Sequence, residues 1–346
     1  MVTPAGPADP VELFRSGLVI PAHPLALTED RRLDERRQRA LSRYYLESGA
    51  GGLAVAVHTT QFGIHDPASD LLSPVLELAV ETAAEYPDRS TVLVGGLAGP
   101  TEQAVEEAEL AAALGYHLAL LSPYGTNGMT DAELIDRARA VGAVLPVIGF
   151  YLQPAVGGRP LPREFWRELA QVDSVIGIKV APFDRYATLE VIHGITESGR
   201  ADEIALYTGN DDHIVGDLIS DDDGQAFVGG LLGQWAVWTG KAVQTLELAR
   251  QARAGDDAAL RRLVRLDRPL TDANAAIFDT RNGFAGSVPG IHEVLRRQGL
   301  LDGVWCLDDK EVLGPGQLAE IDRIWTAYPW LRDDDFVAEH RDRWLG

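Results

Sequence analysis

From residue 18 to about residue 240, apolar runs of strand length alternate with longer stretches whose apolar positions recur at helical spacing. Leu18–Ala22 opens the series, followed by a helix over Leu33–Glu47 that stops at Gly49. Gly52–Val57 reads as a buried strand, and a loop from His58 to Leu72 leads into a helix around Pro74–Tyr86. Thr91–Val94 is the third strand, and Thr101 is placed to cap an acidic-started helix that ends at Gly115. His117–Leu121 and Leu145–Phe150 are the next two strands. Between them, Thr130-Asp131-Ala132-Glu133 is a capping box whose helix stops at Gly142. A helix over Pro162–Ala170 precedes the sixth strand, Val175–Ala181, and a helix over Arg185–Glu197 follows it. Ile204–Tyr207 is the seventh strand and Trp235–Trp238 a short eighth.

Eight such units, spaced roughly 25–40 residues apart, predict an α/β fold of the (β/α)8 TIM barrel type, for which about 250 residues is typical. An open doubly wound sheet would show a Gly-rich turn after its first strand, and Pro21-Ala22-His23-Pro24 is not one. From Lys241 onward the periodicity is purely helical. The expected organisation is a tail over residues 1–15, a barrel over 16–250 and a C-terminal helical region over 251–346. The Pro/Ala-rich tail reads as loose chain or as a strap across the barrel's base. Tyr328, Trp330, Phe336 and Trp344 suggest that the last helices cover a neighbour or the barrel flank, but an ordinary amphipathic core face is the simpler reading.

One position breaks the apolar pattern. Lys179 sits inside Val175-Ile176-Gly177-Ile178-Lys179-Val180-Ala181, where a strand covered on both faces carries no charge. The chain of 346 residues holds only three lysines, so its positive charge is otherwise almost all arginine. Desolvation disfavours an ammonium, and shifting a lysine to near neutrality takes roughly 4–5 kcal/mol at about 1.36 kcal/mol per unit. The product is a free amine, the species that attacks a ketone to form a Schiff base. A snorkelling lysine, or one paired with a buried carboxylate, is the competing reading.

Composition narrows the classes. A formal net charge of −21 supplies no basic footprint for nucleic acid and no attraction to an anionic membrane. No apolar run reaches the roughly 18–20 residues that span a bilayer, and the N-terminus does not read as a signal peptide. A single cysteine, Cys306, closes no disulfide within the chain, consistent with a reducing, cytoplasmic setting.

In a barrel of this kind, reacting groups lie at the carboxyl ends of the strands. Those ends are His58-Thr59-Thr60-Gln61, Ser122-Pro123-Tyr124-Gly125, Phe150-Tyr151-Leu152-Gln153-Pro154, Lys179 and Thr208-Gly209-Asn210-Asp211. For an amine acting on a 2-oxo acid, Thr59 and Thr60 offer hydroxyls and backbone N–H groups as a carboxylate cradle. Tyr151 offers a proton shuttle on the adjacent strand, and Tyr124, Asn210, Gln61 and Gln153 a polar wall.

With these motifs in place, the chain resembles the dihydrodipicolinate synthase/N-acetylneuraminate lyase family over roughly residues 15–300. The resemblance rests on Thr59-Thr60 after a Gly-rich second strand, Tyr151 with Pro154, Gly177-Ile178-Lys179, and Thr208-Gly209-Asn210-Asp211. It implies a (β/α)8 barrel with class I aldolase chemistry and neither metal nor cofactor. Lys179 would form a Schiff base with pyruvate or another 2-oxo acid, Thr59 and Thr60 would hold the carboxylate, and Tyr151 would move protons. An aldehyde would be the second substrate, and a homotetramer or homodimer is expected.

The departures are informative. The family's Gly-Thr-Thr-Gly-Glu is here His58-Thr59-Thr60-Gln61-Phe62, Gly125 stands where the synthase has a relay tyrosine, and Val156 where an arginine grips the aldehyde's carboxylate. Arg159 is near in sequence but would need a shifted loop. Aspartate semialdehyde is therefore not the expected substrate, and an aldolase or hydratase/dehydratase of other specificity is. His58 or Gln61 would take over polar duties, with His58 as a substitute acid/base or simply a pocket histidine.

Other readings are weaker. Gly233–Lys241 resembles a phosphate loop only loosely, and no strand ends in the glutamates that a glycosidase needs. His23, His58, His65 and Asp66 lack metal-ligand spacing, as does Asp221-Asp222-Asp223-Gly224 as a calcium loop. A metal-dependent barrel hydrolase or aldolase, and a silent relative that only senses a 2-oxo acid, stand as alternatives.

Overall fold

The computed structural model describes residues 9–222 and 224–346. The expected tail therefore lies outside the described residues up to residue 8, as does Asp223 of the acidic loop. Eight parallel strands form the wall: β1 (Val19–Pro21), β2 (Gly52–Val55), β3 (Val92–Leu97), β4 (Leu118–Leu121), β5 (Val147–Leu152), β6 (Val175–Ala181), β7 (Ala205–Thr208) and β9 (Gln225–Leu232). β8 (Asp221–Asp222) is a two-residue antiparallel arm on the start of β9. The strands run in the order β1-β9-β7-β6-β5-β4-β3-β2, and a parallel bridge between Ala22 and Ala54 joins β1 to β2 and nearly closes the ring. With helices between the strands, this is a (β/α)8 barrel.

The eighth strand is not where the apolar pattern put it. Trp235 and Ala236 lie in a 3-10 turn, and the strand is Gln225–Leu232, whose central Gly229-Gly230 breaks the apolar run. The glycines are there because neighbours come close. A Cβ at Gly229 would lie 2.4 Å from the Leu18 carbonyl oxygen on the adjoining β1 segment, and one at Gly230 would strike the Trp235 ring at 2.6 Å. A strand selected for close approach loses the β-branched signature by which strands are read.

A short helix, α1 (Pro10–Arg15), started by the Asp9 side chain accepting from the Val11 N–H, lies ahead of β1. It inserts Phe14 into the lumen among Ile20, Val92, Leu118 and Ile176. There Phe14 stacks on Tyr207 at 4.2 Å, and the Tyr207 hydroxyl donates to the Phe14 carbonyl at 2.6 Å. The amino end of the barrel is thus filled with side chains, leaving the carboxyl end open for a site. The capping box of α5 (Asp131–Gly142) forms as its sequence predicts, with Glu133 accepting from the Thr130 N–H and hydroxyl.

After α9 (Thr239–Arg253) come α10 (Asp257–Ile277), α11 (Ser287–Arg297), α12 (Gln317–Ala327) and α13 (Asp334–Trp344). α13 packs on α2 (Glu35–Glu47), where buried Trp344 lies 5.6 Å from the Tyr44 ring, so these aromatics cover the barrel flank. Trp330 is half exposed. No helix among the described residues is long and apolar enough to cross a membrane.

Candidate active site

β6 alternates its side chains between the lumen and the helix layer. Ile178 and Val180 pack outward, whereas Lys179 and Ala181 point in, toward the open end. Lys179 is 5 % exposed and stands in a cavity of about 540 Å³, open mouth included. Its Nζ lies 4.2 Å from the centre of the Phe150 ring, its partner in the β5–β6 register. Among the described residues the amine makes no ion pair and no hydrogen bond. Gly209 at the end of β7 leaves room for the stem, since a Cβ there would lie 2.9 Å from Lys179 Cε and 2.7 Å from Ala181 Cβ.

Burial draws the Lys179 pKa down to about 8, and the nearby Asp211 carboxylate holds it from falling further. That is short of the near-neutral value expected of an isolated buried amine, and Asp211 is the reason. At pH 7 roughly one molecule in ten then carries the free amine, against a few in ten thousand for an ordinary lysine. The depression corresponds to about 3 kcal/mol of penalty on the folded state. It is fully present below about pH 8 and fades as pH rises toward the unfolded lysine's value of 10.5. Lys179→Met should therefore raise the thermal midpoint at pH 6–7, with the gain shrinking above pH 8. A Tm series that shows no gain at pH 6 contradicts this account.

Asp211 is the group that sequence reasoning missed. The strand-end motif marks its position, but nothing local gives its carboxylate a task. It is 7 % exposed and lines the cavity. Oδ1 accepts from the Gln234 N–H at 3.1 Å, and its carbonyl accepts from Asn274 Nδ2 at 2.6 Å, so the segment after β9 and α10 both pin it. Burial pushes its pKa up to about 7; the Gln234 N–H and the Lys179 charge pull the other way. His58, half-buried at the rim, is held at about 4 by burial and then by the Lys179 charge, so it is neutral at ordinary pH.

The remaining expected residues divide sharply. Thr59 lines the cavity, but its hydroxyl donates to the Ala22 carbonyl at 2.7 Å. The Thr60 hydroxyl donates to the His23 carbonyl at 2.7 Å and accepts from the Val57 N–H at 3.1 Å. A hydroxyl has one proton, so as built neither donates to a carboxylate, and both brace the turn after β2. Gln153 reaches the cavity, and its Oε1 has no partner among the described residues. Gln61 and Tyr124 stand farther out: Gln61 Oε1 accepts from the Leu307 N–H at 2.6 Å, and Tyr124 stacks on Phe62 at 4.2 Å. Asn210 does not reach the cavity. Its Oδ1 accepts from the Phe183 N–H at 3.1 Å and its Nδ2 donates to Asp217 at 3.0 Å.

Tyr151 is a correction. On β5 the lumen-facing residues are Ile148, Phe150 and Leu152, so Tyr151 points into the helix layer against Trp166, its hydroxyl accepting from the Leu161 N–H at 3.3 Å. The one-residue alternation of a strand puts Phe150, not Tyr151, beside the amine. Tyr151→Phe should then change turnover by less than about threefold and cost about 1 kcal/mol of stability. A hundredfold loss of proton exchange in that variant would restore the tyrosine relay.

The histidines weighed for a metal do not converge. His23 bonds Ser42 and the Pro24 carbonyl, and His65 bonds Glu107 and the Ala56 carbonyl. Phe278, Phe284 and Ser287, from the C-terminal helices, complete the cavity roof. No period or motif marked them, because they reach the site through tertiary docking alone.

Barrel and site together define a (β/α)8 protein whose chemistry-bearing groups converge at the carboxyl ends of β6 and β7. Residues 16–226 match the model of the dihydrodipicolinate synthetase family, and the chain belongs to that family. Its structure is similar to that of N-acetylneuraminate lyase from Fusobacterium nucleatum, at 17 % identity and a TM-score of 0.72, covering 90 % of this chain and 99 % of that one. It is also similar to dihydrodipicolinate synthase from Oceanobacillus iheyensis, at 19 % identity and a TM-score of 0.73, covering 93 % and 99 %. A third similar structure is YagE from E. coli K12, a family member solved in complex with pyruvate, at 20 % identity and a TM-score of 0.71, covering 90 % and 97 %. Comparison with curated proteins gives no match.

Proposed function

We propose that the protein is a class I, Schiff-base-forming lyase that joins or cleaves a 2-oxo acid, pyruvate in the simplest case, and an aldehyde. The observation that carries this is the buried amine of Lys179, without an ion-pair or hydrogen-bond partner among the described residues and drawn down to about 8, at the floor of an open cavity. Membership of the family and the pyruvate bound in one structural relative favour the same reading. The free amine adds to the keto carbon and water leaves, giving the protonated imine. Asp211 as carboxylate removes a proton from C3, giving the enamine. C3 then attacks the aldehyde carbon, whose oxygen takes up the proton from Asp211. Hydrolysis of the new imine returns the amine and releases a 4-hydroxy-2-oxo acid; cleavage is the reverse. Asp211 is suited to this because a carboxyl near pH 7 both accepts and returns a proton at working pH. Borohydride reduction with pyruvate tests the reading. A Lys179 adduct is the expected result, and absence of any adduct would sink it. The reaction needs no metal in this scheme, and a homo-oligomer in the cytoplasm is the setting we propose.

A further inference from the structure

Above the amine the cavity is walled by aromatic rings. Phe183 follows β6 and Phe284 precedes α11, and the two rings meet edge to face at 5.5 Å over the pocket. Both residues have left-handed backbones, with φ of 54° for Phe183 and 68° for Phe284. A bulky side chain at positive φ is an outlier that persists only when its surroundings enforce it. Here they do: the Phe183 N–H donates to Asn210 Oδ1 at 3.1 Å and the Phe284 N–H to the Asp279 carbonyl at 3.1 Å. Asp279 is itself 3 % exposed and left-handed. Two strained turns thus place two rings in one cavity, with Phe278 and Val156 beside them.

The charges point the same way. Among the described residues, Lys179 and Asp211 are the charged groups lining the cavity, with His58 neutral. Arg159, the nearest candidate to meet an anionic aldehyde, is committed to the Met129 carbonyl at 2.7 Å and to the Asp131 carboxylate. A carboxylate on the aldehyde would face Asp211 without a counter-charge, and a polyhydroxy aldehyde would find few polar partners, chiefly Gln153 and Ser287, on a wall that is mostly aromatic.

We infer that the aldehyde partner is an aryl aldehyde, its ring packed against the joined Phe183–Phe284 pair, so that the reaction interconverts pyruvate plus aryl aldehyde and a 4-aryl-4-hydroxy-2-oxobutanoate. The inference rests on the imine reading above and adds the substrate class. Ring-to-ring contact with this aromatic pair is worth roughly tenfold in specificity beyond simple burial.

The test uses the full-length protein with pyruvate and, in parallel, benzaldehyde, cyclohexanecarbaldehyde, glyceraldehyde and succinic semialdehyde, following product by chromatography. Benzaldehyde should give the highest kcat/KM, at least tenfold above glyceraldehyde and succinic semialdehyde. Phe183→Gly and Phe284→Gly remove the rings while suiting the left-handed backbone, so loss of the fold does not confuse the result. Each should lower the benzaldehyde-to-glyceraldehyde ratio at least tenfold. Binding of benzyl alcohol, read by saturation-transfer NMR, needs no amine chemistry and should weaken in both variants. If glyceraldehyde or the semialdehyde is preferred, or if the ratio is unmoved by both glycine variants, the aryl assignment is overturned. If borohydride and pyruvate give no adduct while benzyl alcohol still binds through the two rings, the imine reading fails and the aryl site stands as a binding site only.

Discussion

Reduction with borohydride in the presence of pyruvate should add a single pyruvate-derived mass to the peptide carrying Lys179, and Lys179→Ala should abolish both adduct and turnover. The expected loss is at least about 10⁴-fold, because removing a covalent nucleophile removes the pathway rather than weakening one step of it. The selectivity has a physical basis. The other two lysines, Lys241 and Lys310, are not buried, whereas burial leaves about a tenth of Lys179 as free amine at pH 7. The trapping rate should rise with pH and level off above about 8. An adduct spread over all three lysines, or one that survives Lys179→Ala, would remove the basis for the proposed chemistry.

Asp211→Asn should separate two steps that Lys179→Ala cannot. Asparagine keeps an oxygen for the Gln234 N–H, so the turn persists. Imine formation should continue, while exchange of pyruvate C3 hydrogens with solvent deuterium, read by NMR, should fall roughly 10²–10⁴-fold, the usual worth of a positioned acid/base. The pH profile moves in a defined direction. The Asp211 carboxylate raises the lysine's pKa, so its neutralisation lowers that value and the trapping plateau should begin at lower pH than in the parent. Unchanged exchange in Asp211→Asn would acquit the carboxylate, and a plateau displaced upward would show that its charge does not reach the amine.

Much of the frame is legible in the chain because buried parallel strands and capped helices write local signals. The lysine inside Val175–Ala181 is visible for the same reason: a charge is conspicuous where every neighbour is apolar. The rest is hidden. The eighth strand is written in glycines, since close approach to β1 and Trp235 excludes side chains. Tyr151 and Phe150 differ by one residue, and the face each occupies depends on strand register, which a motif does not carry. The roof residues Phe278, Phe284 and Ser287 lie some 100 residues downstream of the lysine, and only the docking of α10 and α11 brings them over it. Asp211 was in view within its motif, but its pKa is set by burial under Gln234 and Asn274, which no local pattern reports.

The family match ends at residue 226, and the amine and the carboxylate both fall inside it, while Phe278, Phe284 and Ser287 lie beyond. In the proposed reaction, bond-making therefore falls within the matched stretch, whereas partner choice is shared between Phe183 inside it and Phe284 beyond it. Grafting a different tail after β9 would retune which carbonyl compound is admitted without disturbing the electrophile trap beneath, provided the graft keeps an amide to tether the Asp211 carbonyl as Asn274 does.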